Sequence, residues 1–288
     1  MEALLQHAVV GKLGAKWTDH PILLVDNPLW SRETRETFVQ TLFTKFDIPA
    51  LFLGRAPVLA AFAIGKHSAL VVECGDSAIR VEPVYEGYLI KAGLLHQFAL
   101  GGAELSAQAR LMLSQQAELS TIHVPQQVAH KFPVELGQPA KFEPKMLHNV
   151  TESFLAYHQQ LVLDDFKEGI VQTSELPYNE AELSRRPPKY FEFPDGYNRN
   201  FVSERFRLGE QIFHPAQYRY SAGDEKPASD SLLGLAEMIQ RSLQLCDTEI
   251  RGSLMNNVIL TGGGALMSGL AERLNHELGH LPSYVSTW

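Results

Sequence analysis

The sequence predicts an α/β protein, and three observations carry that prediction. Short apolar runs that read as strands alternate along the chain with longer amphipathic runs that read as helices. Two of the apolar runs, in VVECGDS and VILTGGGALMSG, end in glycine turns where a new element begins. The 288 residues are 45% hydrophobic and 20% charged, enough for one large domain or two smaller ones with true cores.

Each element has a local reason. PILLVD (21–26) is an apolar run ending in polar residues and reads as a buried strand. Apolar residues at Phe38, Val39, Leu42, Phe43 and Phe46 then form one helix face, with Ser31 as its cap and Glu33 and Glu36 near its positive end. ALFL and APVLAAFAIG supply a second strand and a second helix. SALVVECGD (68–76) is the next buried strand, and IRVEPVYEGYLI reads as a strand pair turning at or near Glu86-Gly87. LGGAELSAQARLML is a glycine turn opening a helix with Leu105, Ala109 and Met112 on one face.

The middle is less regular. Residues 119–145 mix polar residues with prolines and predict only short helices. MLHNVTESFLAYHQQLVLDDFKEGIV predicts one or two helices, followed by a variable loop. KYFEFPDGYNRNFVSERFRL predicts a hairpin around Pro194-Asp195-Gly196. SAGDEKPASD is a polar loop. SDSLLGLAEMIQRSLQL is an amphipathic helix with Leu232, Leu235, Ala236, Ile239 and Leu243 on one side.

Composition excludes several functions. A formal net charge of −8 argues against broad, charge-driven DNA binding. The two cysteines, Cys74 and Cys246, are too few for a disulfide framework and have no metal-ligand spacing, so a reducing, intracellular setting is expected. The 11 histidines show no zinc spacing, and no G-x-S-x-G elbow occurs. No run approaches the roughly 18 apolar residues of a membrane span. MEALLQHAVVGKLG lacks the basic start and apolar core of a signal peptide and reads as a helix that begins abruptly.

Two turns remain as candidate sites. In VVECGDS, Gly75 permits close backbone approach, and Glu73 and Asp76 are acids that could hold a hydrated Mg²⁺ or a water; a plain polar turn is the alternative. In VILTGGGALMSG the three glycines permit close approach and leave N–H groups free; tight strand–helix packing is the alternative. It is not a P-loop, since no Gly-Lys-Ser/Thr follows. It is not G-x-G-x-x-G either, because Met267 takes the last glycine position.

Together these segments resemble the actin and actin-related protein family. VVECGDSAIRVEPVYEGYLI resembles its second phosphate loop and following hairpin, VILTGGGALMSGLAERL its adenosine-binding strand–loop–helix, and FEFPDGYNRNFVSERFRLGEQIFHPA the hairpin and loop of its fourth subdomain. LCDTEIRGSLMNNVIL is similar to the segment leading into the adenosine loop. The order is right and the resemblance spans nearly the whole chain. HPILLVDNPLWSRETRETFVQTLFTKFDIPALFL, VLAAFAIGK and VLDDFKEGIVQTS are most similar to the nuclear branch of actin-related protein four and actin-like six.

The resemblance implies an actin-like fold of the ribonuclease H-like, Hsp70 and sugar-kinase superfamily. Residues 1–63 would be a partial first-lobe subdomain, 64–100 with 231–288 the second-lobe core sheet, and 101–230 its outer subdomain. It implies ATP with Mg²⁺ as ligand, approached by Glu73, Gly75, Asp76, Gly102, Gly262, Gly263, Leu266 and Met267. It also implies departures. Glu73 replaces the leading aspartate and Ser77 a glycine. Ala56 replaces a glutamine that positions water, and the lysine–glutamate clamp falls near Ala156 and Tyr157. The family's first phosphate loop would precede Met1 and its closing strands would follow Trp288, so a chain partial at both ends is expected.

The expected function is therefore a non-catalytic scaffold subunit of a nuclear chromatin-remodelling or histone-acetyltransferase complex, with some cytoplasmic presence. It would pair with nuclear actin on a motor-subunit helix and hold ATP weakly or not at all. An ATP-hydrolysing member of the superfamily and a cytoskeletal actin-like protein are the alternatives.

Overall fold

A computed structural model of the chain describes residues 2–27, 29–220 and 232–279. Helix α1 (Glu2–Gln6) runs into a π-helical turn over His7–Lys12. Strand β1 (Ile22–Asp26), helix α2 (Arg32–Lys45) and strand β2 (Leu51–Arg55) form a right-sized crossover that pairs β1 and β2 in parallel. Ser31 caps α2 by accepting a hydrogen bond from the Thr34 amide at 3.0 Å. Trp17, Phe38, Leu42 and Ile48 make a small core there.

β1 is not the fully buried strand that PILLVD predicts. Leu23 and Val25 are 58% and 52% exposed, while Ile22 and Leu24 face the small core. Among the described residues β1 pairs with β2 alone, so alternate side chains meet solvent. Asp26, at the end of β1, is buried and held by Arg35 at 2.8 Å and Arg55 at 3.0 Å.

Helix α3 (Ala56–Ala63) follows, then strands β3 (Ala69–Cys74), β4 (Ile79–Tyr85), β5 (Tyr88–Leu89) and β6 (Leu95–Gln97). The β4–β5 turn has positive φ at both central residues, 49° at Glu86 and 79° at Gly87, which matches the twist of the flanking strands. Ser68 Oγ accepts from the Glu86 amide at 2.9 Å and holds that unusual non-glycine conformation. The sequence assigns α3 to the first unit; Ala61 nevertheless packs on Ala69, Val71 and Val84 of the main sheet.

Helix α4 (Gly102–Ser114) opens the outer part. A short hairpin of β7 (Val128–Lys131) and β8 (Phe142–Pro144) stands in the region read as short helices. Helix α5 (Glu152–Ile170) is one continuous helix capped by Thr151. Helix α6 (Glu180–Leu183), the predicted hairpin of β9 (Lys189–Glu192) and β10 (Asn198–Phe201), helix α7 (Glu204–Glu210) and helix α8 (Pro215–Tyr218) complete it. Phe166, Phe193, Tyr197, Phe201 and Leu208 lie at its centre. The polar loop SAGDEKPASD lies outside the described residues.

The chain then returns through α9 (Leu235–Gln244), α10 (Thr248–Met255), β11 (Val258–Thr261), a 3-10 turn over Gly263–Leu266 and α11 (Leu270–Gly279). The main sheet runs β11-β3-β4-β5, with β6 also on β4. β11 lies parallel to β3, and β4 antiparallel to it. Among the described residues no helix is long and apolar enough to cross a membrane.

One buried ion pair joins this core to the outer part. Arg273 of α11 and Glu210 of α7 are 0% and 1% exposed and meet through two bonds of 2.7 Å. Arg273 also donates to Glu277 at 2.7 Å and to the Leu176 carbonyl at 3.0 Å, and its guanidinium lies over the Phe213 ring. His214 Nδ1 is 2.9 Å from Glu210. Burial pushes the Glu210 carboxyl up, but the hydrogen bonds from His214 and Arg273 outweigh it and hold it below its usual value. The bond to Glu210 raises His214.

Removing one partner strands a buried charge, so Glu210→Gln is expected to cost about 3–5 kcal/mol in urea unfolding. The same shifts set a pH window. Glu210 contributes stability above its ordinary value of 4.5 and loses it as pH falls through the lowered folded value. His214 contributes below its ordinary 6.5 and loses it as pH rises through the raised folded value. Thermal unfolding followed against pH should therefore peak between those two values, and the alkaline decline should vanish in His214→Gln.

Candidate functional site

The parallel register of β11 and β3 decides where the site forms. Thr261 lies opposite Glu73, so both strands end at the same edge and their glycine turns lie side by side. In open α/β sheets this edge, beyond the carboxyl ends of parallel strands, is where ligands bind.

Gly262 has φ of +90°, and a Cβ there would stand 2.5 Å from the Cys74 carbonyl oxygen. Glycine is required at that position to bring the two loops together. Gly263 differs, since a Cβ there would meet nothing within 4 Å. Of the three glycines, the first seals the turn against β3 and the second faces open space.

The other turn is tied to α4. The amides of Gly102 and Ala103 donate to the carbonyls of Gly75 at 3.0 Å and Asp76 at 2.9 Å. These two N–H groups at the helix start therefore serve the Gly75–Asp76 turn and are not open to an anion. The Gly75 amide donates to the Ala78 carbonyl at 3.0 Å and closes the turn. Asp76 is exposed, with Oδ1 close to Gly102.

The structure thus brings Glu73, Gly75, Asp76, Gly102, Gly262 and Gly263 to one edge. Leu266 lies on the same loop but is 88% exposed. Met267 turns inward and touches both major cores, and its sulfur accepts a hydrogen bond from Thr173 Oγ1 at 3.2 Å. Thr173 also receives the loop that follows, its amide donating to the Ser268 carbonyl at 2.9 Å.

Two side chains at this edge escaped the sequence reading. Arg80 stands opposite Glu73 in the β3–β4 register and donates to it at 2.8 Å. Lys167 donates to the Gly102 carbonyl at 3.1 Å, Ser106 Oγ at 2.9 Å and Asp164 at 2.9 Å. Burial raises Asp164, but its hydrogen bonds to Lys167 and Ser106 outweigh this and lower it. Ala156 and Tyr157, expected to stand where a clamp would be, sit about 15 Å up α5 from Lys167 at 1.5 Å per residue, and Tyr157 is exposed. The lysine bordering the glycines is Lys167, in the run DDFKEG. Its signal was the Asp164–Lys167 spacing, which puts both on one helix face.

Of the acids at this edge, Glu73 is paired and Asp76 is exposed. Burial, with Glu73 adding to it, pushes the Cys74 thiol up to about 12, which disfavours its thiolate. Ala56, at the start of α3, offers no polar side chain. Behind Arg80, on the same face of the sheet, Glu82 is 1% exposed with no hydrogen bond to either oxygen, and His96 Nε2 lies 3.6 Å away. Among the described residues no group of three His, Cys, Asp or Glu side chains is placed to hold a metal ion, and Glu73 is paired with a guanidinium; Asp76 is the exposed carboxylate of the turn, and through it a hydrated Mg²⁺ would be held.

Comparison with known proteins agrees with this architecture. The family model described as Actin matches residues 1–287, and the chain belongs to the actin family. Actin-related protein 4 of Arabidopsis thaliana is 30% identical over 280 residues, covering 96% of this chain and 62% of that protein. The Schizosaccharomyces pombe protein named "SWI/SNF and RSC complexes subunit arp42" is 31% identical, covering 94% of this chain and 65% of that one. Actin-related protein 4 of Emericella nidulans is 33% identical, covering 91% and 59%. The chain thus spans less than two thirds of the length of these relatives.

The two glycines should separate in mutagenesis. Gly262→Ala meets both the positive φ and the Cys74 carbonyl and should cost at least about 1–3 kcal/mol in urea unfolding. Gly263→Ala should leave the midpoint within about 0.5 kcal/mol of the parent.

Proposed function

We propose that this actin-family chain is a non-catalytic structural subunit of a nuclear chromatin-remodelling or histone-acetyltransferase complex. In this reading its nucleotide edge is a cradle that holds ATP weakly and does not turn it over. The observation that carries the reading is the Glu73–Arg80 ion pair. The acid best placed to polarise a water or hold a hydrated cation is bonded to a guanidinium on its own sheet. Ala56 adds no group that could orient a water. Hydrolysis by a positioned base needs such a group within hydrogen-bond reach of the water.

The names of the relatives support the assembly role. One is a named subunit of SWI/SNF and RSC complexes, and several others are actin-related protein 4. By extension, the partners are nuclear actin and a helix of the motor subunit. The exposed apolar side chains of the N-terminal unit, Leu23, Val25 and Phe52, lie on one side of the β1–β2 pair and suit a protein that works by contact.

The test is retention of the purified chain on an immobilised motor-subunit helix in the presence of actin. Retention that persists without added nucleotide is expected. Failure to be retained, while a full-length actin-related protein 4 is retained on the same helix, would overturn the assembly reading.

A further inference from the structure

Helix α5 has three sides with different surroundings. Val162, Leu163, Phe166 and Ile170 pack into the outer core, and Asp164 and Lys167 serve the glycine edge. The third side faces solvent. At 100° per residue, Phe154, Tyr157, His158, Leu161, Asp165 and Glu168 fall within about 100° of arc. The first half of this stripe is apolar, with Phe154 39%, Tyr157 62% and Leu161 39% exposed. The second half is acidic. The carboxylates of Asp165 and Glu168 are exposed and have no hydrogen-bond or ion-pair partner among the described residues.

The apolar half is already ordered. Gln126 Nε2 lies 3.1 Å from His158 Nδ1 and ties that ring to the turn before β7. The Phe154 ring centroid is 4.3 Å from that of His158, and Tyr157 meets the same ring edge-on at 5.4 Å. Exposed aromatic side chains held in one arrangement lose little freedom on binding and make good anchors.

The acidic half opens onto a cavity of about 510 Å³. Val162 and Asp165 form its wall on α5, and Phe191 and Phe193 its wall on the β9 hairpin. Lys131 and Glu192 also line it but are paired with each other, so the unpaired negative charge is that of Asp165. A lysine or arginine entering there would lay its methylenes on Phe191 and Val162 and bring its cation to Asp165. An acidic side chain would meet two like charges.

We propose that this side of α5 is a docking surface for a partner protein that presents a basic amphipathic helix. Apolar residues of that helix cover Phe154, Tyr157 and Leu161, and its basic residues pair with Asp165 and Glu168. The stripe runs straight for about 21 Å, or four turns, which suits another helix laid along it. The proposal is independent of nucleotide binding, because a different side of α5 serves the glycine edge.

Fluorescence anisotropy of the whole chain with a labelled helical peptide of about 18 residues tests it. One probe carries leucine along one face and lysine on the other, and a second carries glutamate in place of lysine. The parent is expected to bind the lysine probe with a Kd of about 10 µM and the glutamate probe about tenfold or more weakly. Tyr157→Ser with Leu161→Ser should weaken the lysine probe about tenfold or more. Asp165→Asn with Glu168→Gln should weaken it about threefold or more and reduce its dependence on salt. Leu23→Ser with Phe52→Ser, on the exposed face of the β1–β2 pair, should leave it within about twofold. All four of the altered α5 side chains are exposed, so the core is left intact. Absence of binding by the parent, equal binding of the two probes, or unchanged binding in both α5 variants overturns the proposal. A dimer in sedimentation that Leu161→Ser dissociates also overturns it, because the face then belongs to a second copy of the chain. Should the Tyr157→Ser and Leu161→Ser variant not fold, as judged by circular dichroism, the Asp165→Asn and Glu168→Gln variant, which removes no apolar contact, decides.

Discussion

Arg273 has to be buried, and everything around the glycine edge follows from how it is paired. The glycine loop between β11 and α11 lies against Cys74 at Gly262 and Gly264 and reaches both cores through Met267, while Gly263 faces open space and Leu266 faces solvent. The helix that follows it, α11, is held by Arg273. Two bonds to Glu210, one to Glu277 and one to the Leu176 carbonyl give the guanidinium partners on three separate segments. A buried pair of this kind adds little net stability over apolar residues, but it is intolerant of any other arrangement. Such a pair suits a loop that must lie against β3 to within the tolerance set by Gly262 and Cys74. Thr173, next to Ser174 whose carbonyl also accepts from Arg273, completes the same support by receiving Met267 and Ser268.

The charge at the site is organised by a second pair with a different consequence. Arg273–Glu210 fixes a position, whereas Arg80–Glu73 engages a carboxylate at the site. A carboxylate at the end of β3 could act as a base, a water ligand or a metal ligand only if its charge were available. Here it is engaged across the hairpin, while the amides at the start of α4 are engaged by the same turn. The two turns are brought together through backbone contacts that need glycine. Of the two acids there, Glu73 is paired and Asp76 is exposed.

What could be read from the sequence divides along the same line. Features set by neighbours in the chain were legible: the Ser31 cap, the Glu86-Gly87 turn, the hairpin at Pro194–Gly196 and the two glycine edges. Features set by tertiary context were not. β7 and β8 lack alternation and are separated by Gly137 and Pro139, so they are strands only because they pair with each other. The one-sided exposure of β1 depends on which strands flank it, and that information is not in PILLVD. Lys167 and Arg80 lay in plain sight, in DDFKEG and CGDSAIR. Their roles needed register, since Arg80 reaches Glu73 only when Cys74 pairs with Ile79 across a four-residue turn. Glu82 and His96 had no local signal, because a buried, unbonded carboxylate is not something a strand pattern predicts.

The central claim is that the chain keeps a nucleotide cradle and has no turnover in it. Single-turnover incubation of terminally labelled ATP with the chain in excess, followed for phosphate release, tests this most directly. The account predicts release no faster than in buffer, and no change when Glu73 is replaced by Gln. Release well above the buffer rate that Glu73→Gln abolishes would contradict it, because the carboxylate bonded to Arg80 would then be the working base.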